Sequence, residues 1–314
     1  MSPESVTTVQ AGPADRPADP MPSFAFDPGD PWTLTFQAGL DRAGLGGRRV
    51  YEVGVGSGVN VAYMLRHCAA SVVLGSDLDP RLTGLARRFV AEAVPDLLDR
   101  FRPVEGAVNL LDPPAAAQAA GVDVVVASIP QVPDPEDAMC TRFNSAALRT
   151  TAVAGRHLDD HGAHYYPWAA FHQYPFNAVG LGLIEALLRR VRACAPQAQV
   201  VLNLGGRIGK NVLLQLFRSN GYRPEELTSR IVRQDGQTDI SFFAGLETAL
   251  RGTGYEHDFT CEFYADPGGS QRISAGEARQ RLTAHPALPV FHEVCVLRGH
   301  PVGPDNVDHE VTTW

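Results

Sequence analysis

The sequence predicts an α/β fold with a doubly wound, mostly parallel sheet. Short apolar runs alternate with segments of helical periodicity along most of the chain. One such run, Val50–Val53, enters a turn with three glycines on alternate positions and then continues as a helical pattern. Strands that alternate with helices around a glycine turn are typical of parallel sheets with helices on both faces.

The elements follow in order along the chain. After Val50–Val53 and its helix, strands are predicted at Ser71–Ser76, Arg102–Val108, Val122–Ala127 and Gln199–Leu204. Helices are predicted at Leu82–Val90 behind Pro80, Gly180–Ala195, Asn211–Asn220 before Gly221, and Ser274–Leu282 with a capping box. Further strand-like segments are Thr238–Gly245, Phe259–Tyr264 and Val290–Leu297.

Composition divides the chain into four parts. Residues 1–22 are rich in Pro, Ala, Asp and Ser, which predicts a disordered tail. Residues 23–48 contain a cluster of large apolar side chains and are predicted to form an N-terminal cap segment. Residues 49–300 form the predicted main domain, and 301–314 a C-terminal tail. The cap either packs as a plain helix or supplies an aromatic lid over a ligand pocket.

Charge and cysteine usage exclude several classes of protein. The 314 residues carry a net charge of −8 and no Lys/Arg run longer than two, so a nucleic-acid partner is not expected. No apolar stretch is long enough to span a bilayer, and no signal peptide is evident. Five cysteines without a C-x-x-C pair predict reduced thiols, no metal site and a cytoplasmic location: Cys68, Cys140, Cys194, Cys261 and Cys295.

The glycine turn and two acids predict a nucleotide-like ligand. Gly54, Gly56 and Gly58 have the spacing G-x-G-x-G, which differs from the dinucleotide fingerprint G-x-G-x-x-G. Glu52 lies two residues before the first glycine, and Asp77 follows the next strand. A carboxylate can accept hydrogen bonds from both hydroxyls of a ribose. The alternative is a generic glycine turn of an α/β protein.

This pattern resembles motif I of the class I methyltransferases that use S-adenosylmethionine (SAM). The resemblance implies a seven-stranded Rossmann-like sheet, here with the N-terminal cap and C-terminal β additions. It also implies that the glycines pass under the methionine part of SAM and that Asp77 binds the ribose. Asp112 would accept from the adenine amino group, although an Asp before two prolines is also an ordinary turn starter. The implied SAM-binding residues are Glu52, Gly54, Gly56, Gly58, Asp77, Asp112 and Ser128.

Four short motifs in order resemble the methyltransferase module of methionine S-methyltransferases. They are Ile129-Pro130-Gln131 with Asp134–Met139, Gly180–Ile184, Asn203–Arg207 and Thr238–Ser241. At the fourth strand, Ser128 and Gln131 replace the Asn and Tyr of the Asn-Pro-Pro-Tyr motif found in methyltransferases that act on planar nitrogens. One departure from the methionine enzymes is that Phe176 and Asn177 stand where those enzymes carry an acidic Glu-Asp pair.

A proline-interrupted segment from Tyr165 to Asn177 is the most aromatic part of the chain. Half of its positions from Tyr165 to Phe176 are Tyr, Trp or Phe. Aromatic faces attract cations, so Tyr166, Trp168 and Tyr174 are candidates to stabilise a sulfonium. The alternative is a hydrophobic lid that excludes water.

Three functions remain open from the sequence. In the first, SAM methylates the thioether of methionine: Arg207 binds the carboxylate, and Gln131, Trp168 and Phe176 complete the acceptor site. The alternative role for Arg207 is a structural salt bridge. In the second, SAM alone is cyclised to azetidine-2-carboxylate and methylthioadenosine, which requires a neutral amine. In the third, SAM is bound without turnover. Self-association into a homo-oligomer also stays open. The candidate catalytic residues are Tyr166, Tyr174, Asn177 and Ser128.

Overall fold

The computed structural model describes residues 29–77, 79–104, 113–131, 175–236, 238–254, 256–285 and 287–303. Within these ranges the helices are α1 (Pro31–Arg42), α2 (Val59–Arg66), α3 (Pro80–Ala93), α4 (Pro113–Ala119), α5 (Gly182–Cys194), α6 (Lys210–Ser219), α7 (Ser241–Leu250) and α8 (Ala275–Ala284). The strands are β1 (Arg49–Val53), β2 (Val72–Ser76), β3 (Phe101–Pro103), β4 (Val124–Ala127), β5 (Gln199–Gly205), β6 (Tyr222–Arg233), β7 (Phe263–Tyr264), β8 (Arg272–Ile273) and β9 (Phe291–Pro301).

One mixed sheet organises the described chain. Seven strands form it in the order β3-β2-β1-β4-β5-β9-β6, and β7 and β8 extend it as a short ribbon beside β9. The first five strands are parallel, β9 is antiparallel to β5, and β6 is antiparallel to β9. This confirms the predicted mostly parallel, Rossmann-like sheet of seven strands with C-terminal β additions.

Both faces of the sheet are covered, as a parallel sheet requires. Alternate residues of each strand point to opposite sides. Tyr51 and Val53 of β1 join a core packed with α5, α6 and α7, whereas Val50 joins a second core with α1, α2 and α3. The connections from β1 lead to β2 on one side and, later in the chain, to β4 on the other. This reversal opens a crevice at the carboxyl ends of β1 and β4, where open α/β sheets bind ligands.

Helix α1 packs tightly across β9 and β6. A Cβ atom on Gly39 would lie 2.5–2.7 Å from three side-chain atoms of Val296, so only glycine permits this approach. Near the end of the helix, Arg42 Nη1 donates to the backbone oxygen of Leu227 at 2.6 Å. The predicted cap segment is therefore helical where the structure describes it, and its helix is part of the second core.

Two predictions about the C-terminal half were wrong. The sequence predicts a strand at Thr238–Gly245, but Ser241–Leu250 is helix α7. Its apolar run buries Phe242, Ala244 and Leu246, and short apolar runs do not distinguish helix from strand. Strand β6 was missed because its charged residues alternate with few apolar ones.

Other elements lie within a few residues of their predicted bounds. Helix α8 begins as predicted, with the Ser274 hydroxyl accepting from the Glu277 amide at 3.0 Å. Strand β3 is shorter than predicted, and residues 105–112 lie outside the described ranges. The predicted tail 1–22 and most of 301–314 also lie outside them. The four described cysteines, Cys68, Cys194, Cys261 and Cys295, are free thiols.

Replacing Gly39 with alanine tests the packing of α1. We expect Gly39→Ala to lower the free energy of unfolding by about 1–3 kcal/mol, because the added methyl group collides with the Cβ and both γ carbons of Val296. Gly84→Ala is the matched control, since Gly84 lies in α3 with open space around the new Cβ. The control should raise stability by about 0.5–1 kcal/mol. Equal changes in the free energy of unfolding of the two variants, measured by denaturant unfolding, would contradict this packing.

Candidate functional site

The glycine turn lies between β1 and α2, at the crevice of the sheet. Gly54, Gly56 and Gly58 all have positive φ, at 81°, 51° and 88°. A Cβ on Gly58 would lie 2.7 Å from the Ala86 Cα, so this glycine lets α2 approach α3. A Cβ on Gly56 would meet nothing within 4 Å, which leaves the open side of the turn accessible. The backbone of the turn is therefore packed closely against α3 at Gly58 and leaves free space beside Gly56.

Asp77 connects the glycine turn to the end of β2. Its Oδ2 accepts from the Gly56 amide at 3.0 Å, and its Oδ1 accepts from the Asp79 amide at 3.1 Å. The side chain is buried. A carboxylate can accept about four hydrogen bonds, so these backbone contacts are compatible with the predicted ribose role. That role stays a prediction.

Glu52 precedes the glycine turn, and its side chain lies in the protein interior and not on the open side of the turn. Its side chain is fully buried, and neither carboxylate oxygen accepts a hydrogen bond from the described residues. Burial raises the pKa of Glu52 to about 8; the nearby Asn60 side chain opposes this shift and the Asp77 carboxylate adds to it. Glu52 is therefore largely protonated at neutral pH. Its predicted part in SAM binding stays a prediction.

The loop after β4 is held against both neighbouring strands. Ile129 contacts the glycine turn, since a Cβ on Gly54 would lie 3.0 Å from its Cγ2. The Gln131 side chain forms two bonds with Gly205 at the end of β5: Nε2 donates to the oxygen at 3.1 Å, and Oε1 accepts from the amide at 2.5 Å. The Gln131 amide, predicted to orient the acceptor, is thus engaged with the backbone of β5.

Asn203 joins this loop to the N-terminus of α1. Its Nδ2 donates to the Ser128 hydroxyl and to the backbone oxygen of Trp32, both at 3.1 Å. Ser128 is therefore oriented from within the sheet. Asn203 belongs to the motif Asn203–Arg207 but was not predicted as a site residue, although a polar residue inside the apolar run of β5 was a usable signal.

Arg207 lies in a short 3₁₀ turn, Gly206–Ile208, directly after β5. Its guanidinium carbon is 5.4 Å from the centroid of the Trp32 ring, and its Nε donates to Gln234 Oε1 at 2.8 Å. Burial lowers the pKa of Arg207 to about 10, and the Asp235 carboxylate partly offsets this. No ion pair joins Arg207 to a carboxylate within the described ranges. A structural salt bridge is thus not seen there.

A small cleft lies beside Arg207 at the carboxyl edge of β4 and β5. One wall is polar backbone with Gln131 and Arg207, and the other is apolar. Its lining residues are Gln131, Val179, Gly180, Leu181, Gly205, Arg207, Ile208, Phe242 and Phe243.

Phe176 and Asn177 precede the cleft in the 3₁₀ turn Pro175–Val179. Phe176 is half-buried against the first core, and its amide donates to Glu185 Oε2 at 2.9 Å. Asn177 is buried. The buried Glu185 also pairs with Arg189 at 2.6 Å, so an acid from α5 holds this turn. The remaining candidates, Asp112, Tyr166, Trp168 and Tyr174, lie outside the described residues.

Two residues near Arg207 were not expected. Gln234, which follows β6, is buried and accepts from Arg207. His292 in β9 is buried with its ring centroid 5.7 Å from that of Trp32, and neither ring nitrogen has a hydrogen-bond partner among the described residues. Burial, followed by the nearby Arg207 charge, lowers the pKa of His292 well below its usual value. Nothing in the local sequence around either residue indicated this contact.

Two features are absent from the described part of the chain. Those residues contain no group of three or more His, Cys, Asp or Glu side chains placed to hold a metal ion. None of their helices combines the length and apolar character required to cross a membrane.

Similarity to known proteins bears on the identity of this site. No protein-family model matches the chain. The methionine S-methyltransferase of Zea mays is 29% identical over 274 aligned residues, and that of Arabidopsis thaliana is 26% identical over 269. The chain is a relative of the methionine S-methyltransferases. The alignments cover 81% of this chain, which confirms the resemblance predicted from the four motifs, but only 23% of each plant protein.

Comparison with solved structures finds matches of low identity and low TM-score. The YcgJ protein of Bacillus subtilis is 10% identical, with a TM-score of 0.39 over 85% of this chain and 98% of that one. A precorrin-6y C5,15-methyltransferase of Geobacter metallireducens is 11% identical, with a TM-score of 0.39 over 85% and 88%.

The buried Glu52 predicts a pH dependence of stability. Its folded pKa of about 8 exceeds the ordinary value of 4.5, so folding retains a proton that the unfolded chain has released between these values. Its contribution to stability is complete below about pH 4.5 and is lost as pH rises towards 8, by at most about 1.4 kcal/mol per pH unit. Glu52→Gln removes this titration, so the variant should gain stability relative to the parent from pH 5 to pH 8. The assignment would be contradicted if the free energies of unfolding of the parent and the variant changed with pH in parallel across that range.

Proposed function

We propose that this chain is a SAM-dependent methyltransferase whose acceptor is the thioether sulfur of methionine. The similarity to methionine S-methyltransferases supports this activity, although the chain spans about a quarter of the length of those relatives. The products would be S-methylmethionine and S-adenosylhomocysteine. No nucleic acid enters this proposal.

The observation that carries the proposal is the arrangement of two ligand surfaces around one loop. The loop after β4 contacts the glycine turn through Ile129 and borders the cleft beside Arg207 through Gln131. A donor bound at the turn and an acceptor bound in the cleft would therefore approach each other at this loop. Both surfaces lie at the carboxyl edge of the sheet, where such folds place their chemistry.

The described residues at the turn fit the nucleoside part of SAM. The open side of Gly56 leaves room for a ligand against the backbone, and Asp77 places a carboxylate next to it. The amides at the start of α2 and the positive end of its dipole face the same edge. Asp77 would bind the ribose hydroxyls, and the turn would hold the methionine part.

The lining of the cleft has the chemistry that suits an amino acid with an apolar side chain, and the cleft would have to widen to admit one. Leu181, Phe242 and Phe243 provide an apolar wall, and Arg207 provides a cation that forms no ion pair with a described carboxylate and has Asp235 as its nearby acid. A thioether is weakly polar and suits the apolar wall. The carboxylate of methionine would bind Arg207, for which a guanidinium is well shaped.

The reaction requires little from the protein beyond alignment of the acceptor with the methyl group. SAM supplies a methyl group activated by its sulfonium charge. A thioether has no proton to lose, so the chain needs no general base. Its residues would align the acceptor sulfur with the methyl group and exclude water, which are the effects that the apolar wall and the Arg207 anchor provide. Tyr166, Trp168 and Tyr174 remain candidates for stabilising the sulfonium, while Ser128 would orient the polar end of the acceptor.

Product analysis tests the proposal directly. The purified protein is incubated with SAM, with and without methionine, and the nucleoside products are identified. We expect S-adenosylhomocysteine only when methionine is present. Methylthioadenosine from SAM alone would overturn methylation in favour of the cyclisation considered from the sequence. Tight SAM binding without any product would indicate a non-catalytic role.

Asp77 provides a separate test of the donor site. Asp77→Ala removes the proposed partner of the ribose hydroxyls, and hydrogen bonds to a charged group contribute about 1.5–3 kcal/mol. We therefore expect SAM affinity, measured by calorimetry, to fall by roughly 10- to 100-fold. Asp96→Ala is the control, since Asp96 forms only an exposed pair with Arg66. Equal SAM affinity in both variants would remove the ribose assignment.

A further inference from the structure

The guanidinium of Arg207 is held on two sides by residues from distant parts of the chain. Trp32 comes from the first turn of α1 and lies against its face. Gln234 comes from the segment after β6 and accepts from Nε. The two terminal nitrogens then form the edge that remains for a ligand. A planar guanidinium fixed in this way can present that edge as a fork to a carboxylate.

Gly205 allows three side chains to pack closely at this edge. A Cβ atom there would lie 2.8 Å from the Trp32 ring, 3.4 Å from Gln131 Oε1 and 3.5 Å from Arg207 Nη1. These three groups therefore converge on one backbone position that has no side chain. The cleft beside Arg207 runs along the same residue. The corner is thus built around a glycine by α1, the loop after β4 and the turn after β5.

The charge balance of the corner favours an anion. The Arg207 side chain is half-buried, and no described carboxylate is ion-paired with it; the nearby Asp235 carboxylate offsets only part of the effect of burial on its pKa. Withdrawing a cation from water without an ion-pair partner is costly, so an anionic ligand is the natural complement. Glu293 in β9 is bound to Lys210 at 2.8 Å. His292 behind Trp32 is buried and its pKa is lowered, so it adds no competing positive charge at neutral pH.

We propose that Trp32 and Gln234 are positioning residues that hold Arg207 as a fork for the α-carboxylate of an amino-acid ligand, and so set the preference for carboxylate-bearing substrates. This deepens the proposed function and rests on it for the identity of the ligand. The carboxylate could belong to methionine or to the amino-acid end of SAM. The position of the cleft across the loop from the glycine turn favours methionine.

Gln234→Glu separates positioning from a purely structural role. The new carboxylate would pair with Arg207 at the position of the present 2.8 Å hydrogen bond and compete with the ligand. If the contact served only stability, this variant would be as stable or more stable and would bind ligands normally. We expect unchanged or raised thermal stability together with at least about a tenfold weaker affinity for L-methionine, and a rise in KM with little change in kcat.

Calorimetry with paired ligands identifies the source of the carboxylate. L-methionine and methioninol, which lacks the carboxylate, are titrated into protein saturated with S-adenosylhomocysteine; SAM and decarboxylated SAM are titrated into free protein. We expect the parent to prefer the carboxylate-bearing member of one pair. Gln234→Glu, Arg207→Lys and Trp32→Ala should lose that preference, whereas Trp32→Phe should keep most of it because a ring remains.

The outcomes are decisive. Loss of the methionine preference assigns the fork to the acceptor, and loss of the SAM preference assigns it to the donor; either supports the proposal. Unchanged preferences in Gln234→Glu and Arg207→Lys would overturn it. If the parent protein does not bind methionine at all, the proposed acceptor is wrong, but the SAM pair still tests the fork.

Discussion

The reversal of strand order at β1, which has β2 on one side and β4 on the other, is the constraint on which the rest of the structure depends. Because of this reversal, the backbone separates at the carboxyl ends of these strands. The space between must be lined by loops that cannot hydrogen bond with one another as strands do. Polar side chains provide these hydrogen bonds instead. Asp77 accepts from the glycine turn, Gln131 donates to the end of β5, and Asn203 donates to the loop after β4. The site is therefore held by polar side chains.

Glu52 is fully buried and Arg207 is half-buried, and these two groups deal with charge in opposite ways. Glu52 avoids the cost of a buried charge by keeping its proton at neutral pH. Arg207 cannot do so, because even a lowered pKa of about 10 leaves the guanidinium charged. A carboxyl group of this kind can serve as a neutral support for the turn, whereas a guanidinium needs an anion. This contrast is why Arg207, and not Glu52, indicates a ligand.

The sequence predicted the local features well and the long-range contacts poorly. The glycine turn, Asp77 and the strands that flank them are encoded within short segments, and short segments carry the periodicity that such predictions use. The approach of Trp32, Gln234 and His292 to Arg207 joins residues from α1, the end of β6 and β9. No local pattern encodes that approach, because it follows from which strands become neighbours. Helix α7 was mistaken for a strand because an almost wholly apolar run has no periodicity to read.

The functional assignment, too, came from short local motifs and not from long-range contacts. The four short motifs led to the methionine S-methyltransferases, and the similarity to the plant enzymes confirmed that relationship over most of the chain. The maize and Arabidopsis relatives are both named for methylation of methionine, and neither for cyclisation of SAM. Phe176 and Asn177, which stand where the resemblance implies an acidic pair, were the sequence basis for considering cyclisation, and the buried Glu185 of α5 accepts from the Phe176 amide in the same turn. The two reactions would differ in how the amino-acid ends of the ligands are held.

The position of α1 has a practical consequence for work on this protein. The helix begins at Pro31, and the next residue is already part of the Arg207 corner. Strand β9 runs in the opposite direction to β5, so the chain leaves the sheet at Pro301, on the edge away from the cleft. A substitution that disturbs the start of α1 would therefore also disturb the binding edge. A substitution near the end of β9 would act at the opposite edge of the sheet, which makes that end the safer place to introduce a label for ligand measurements.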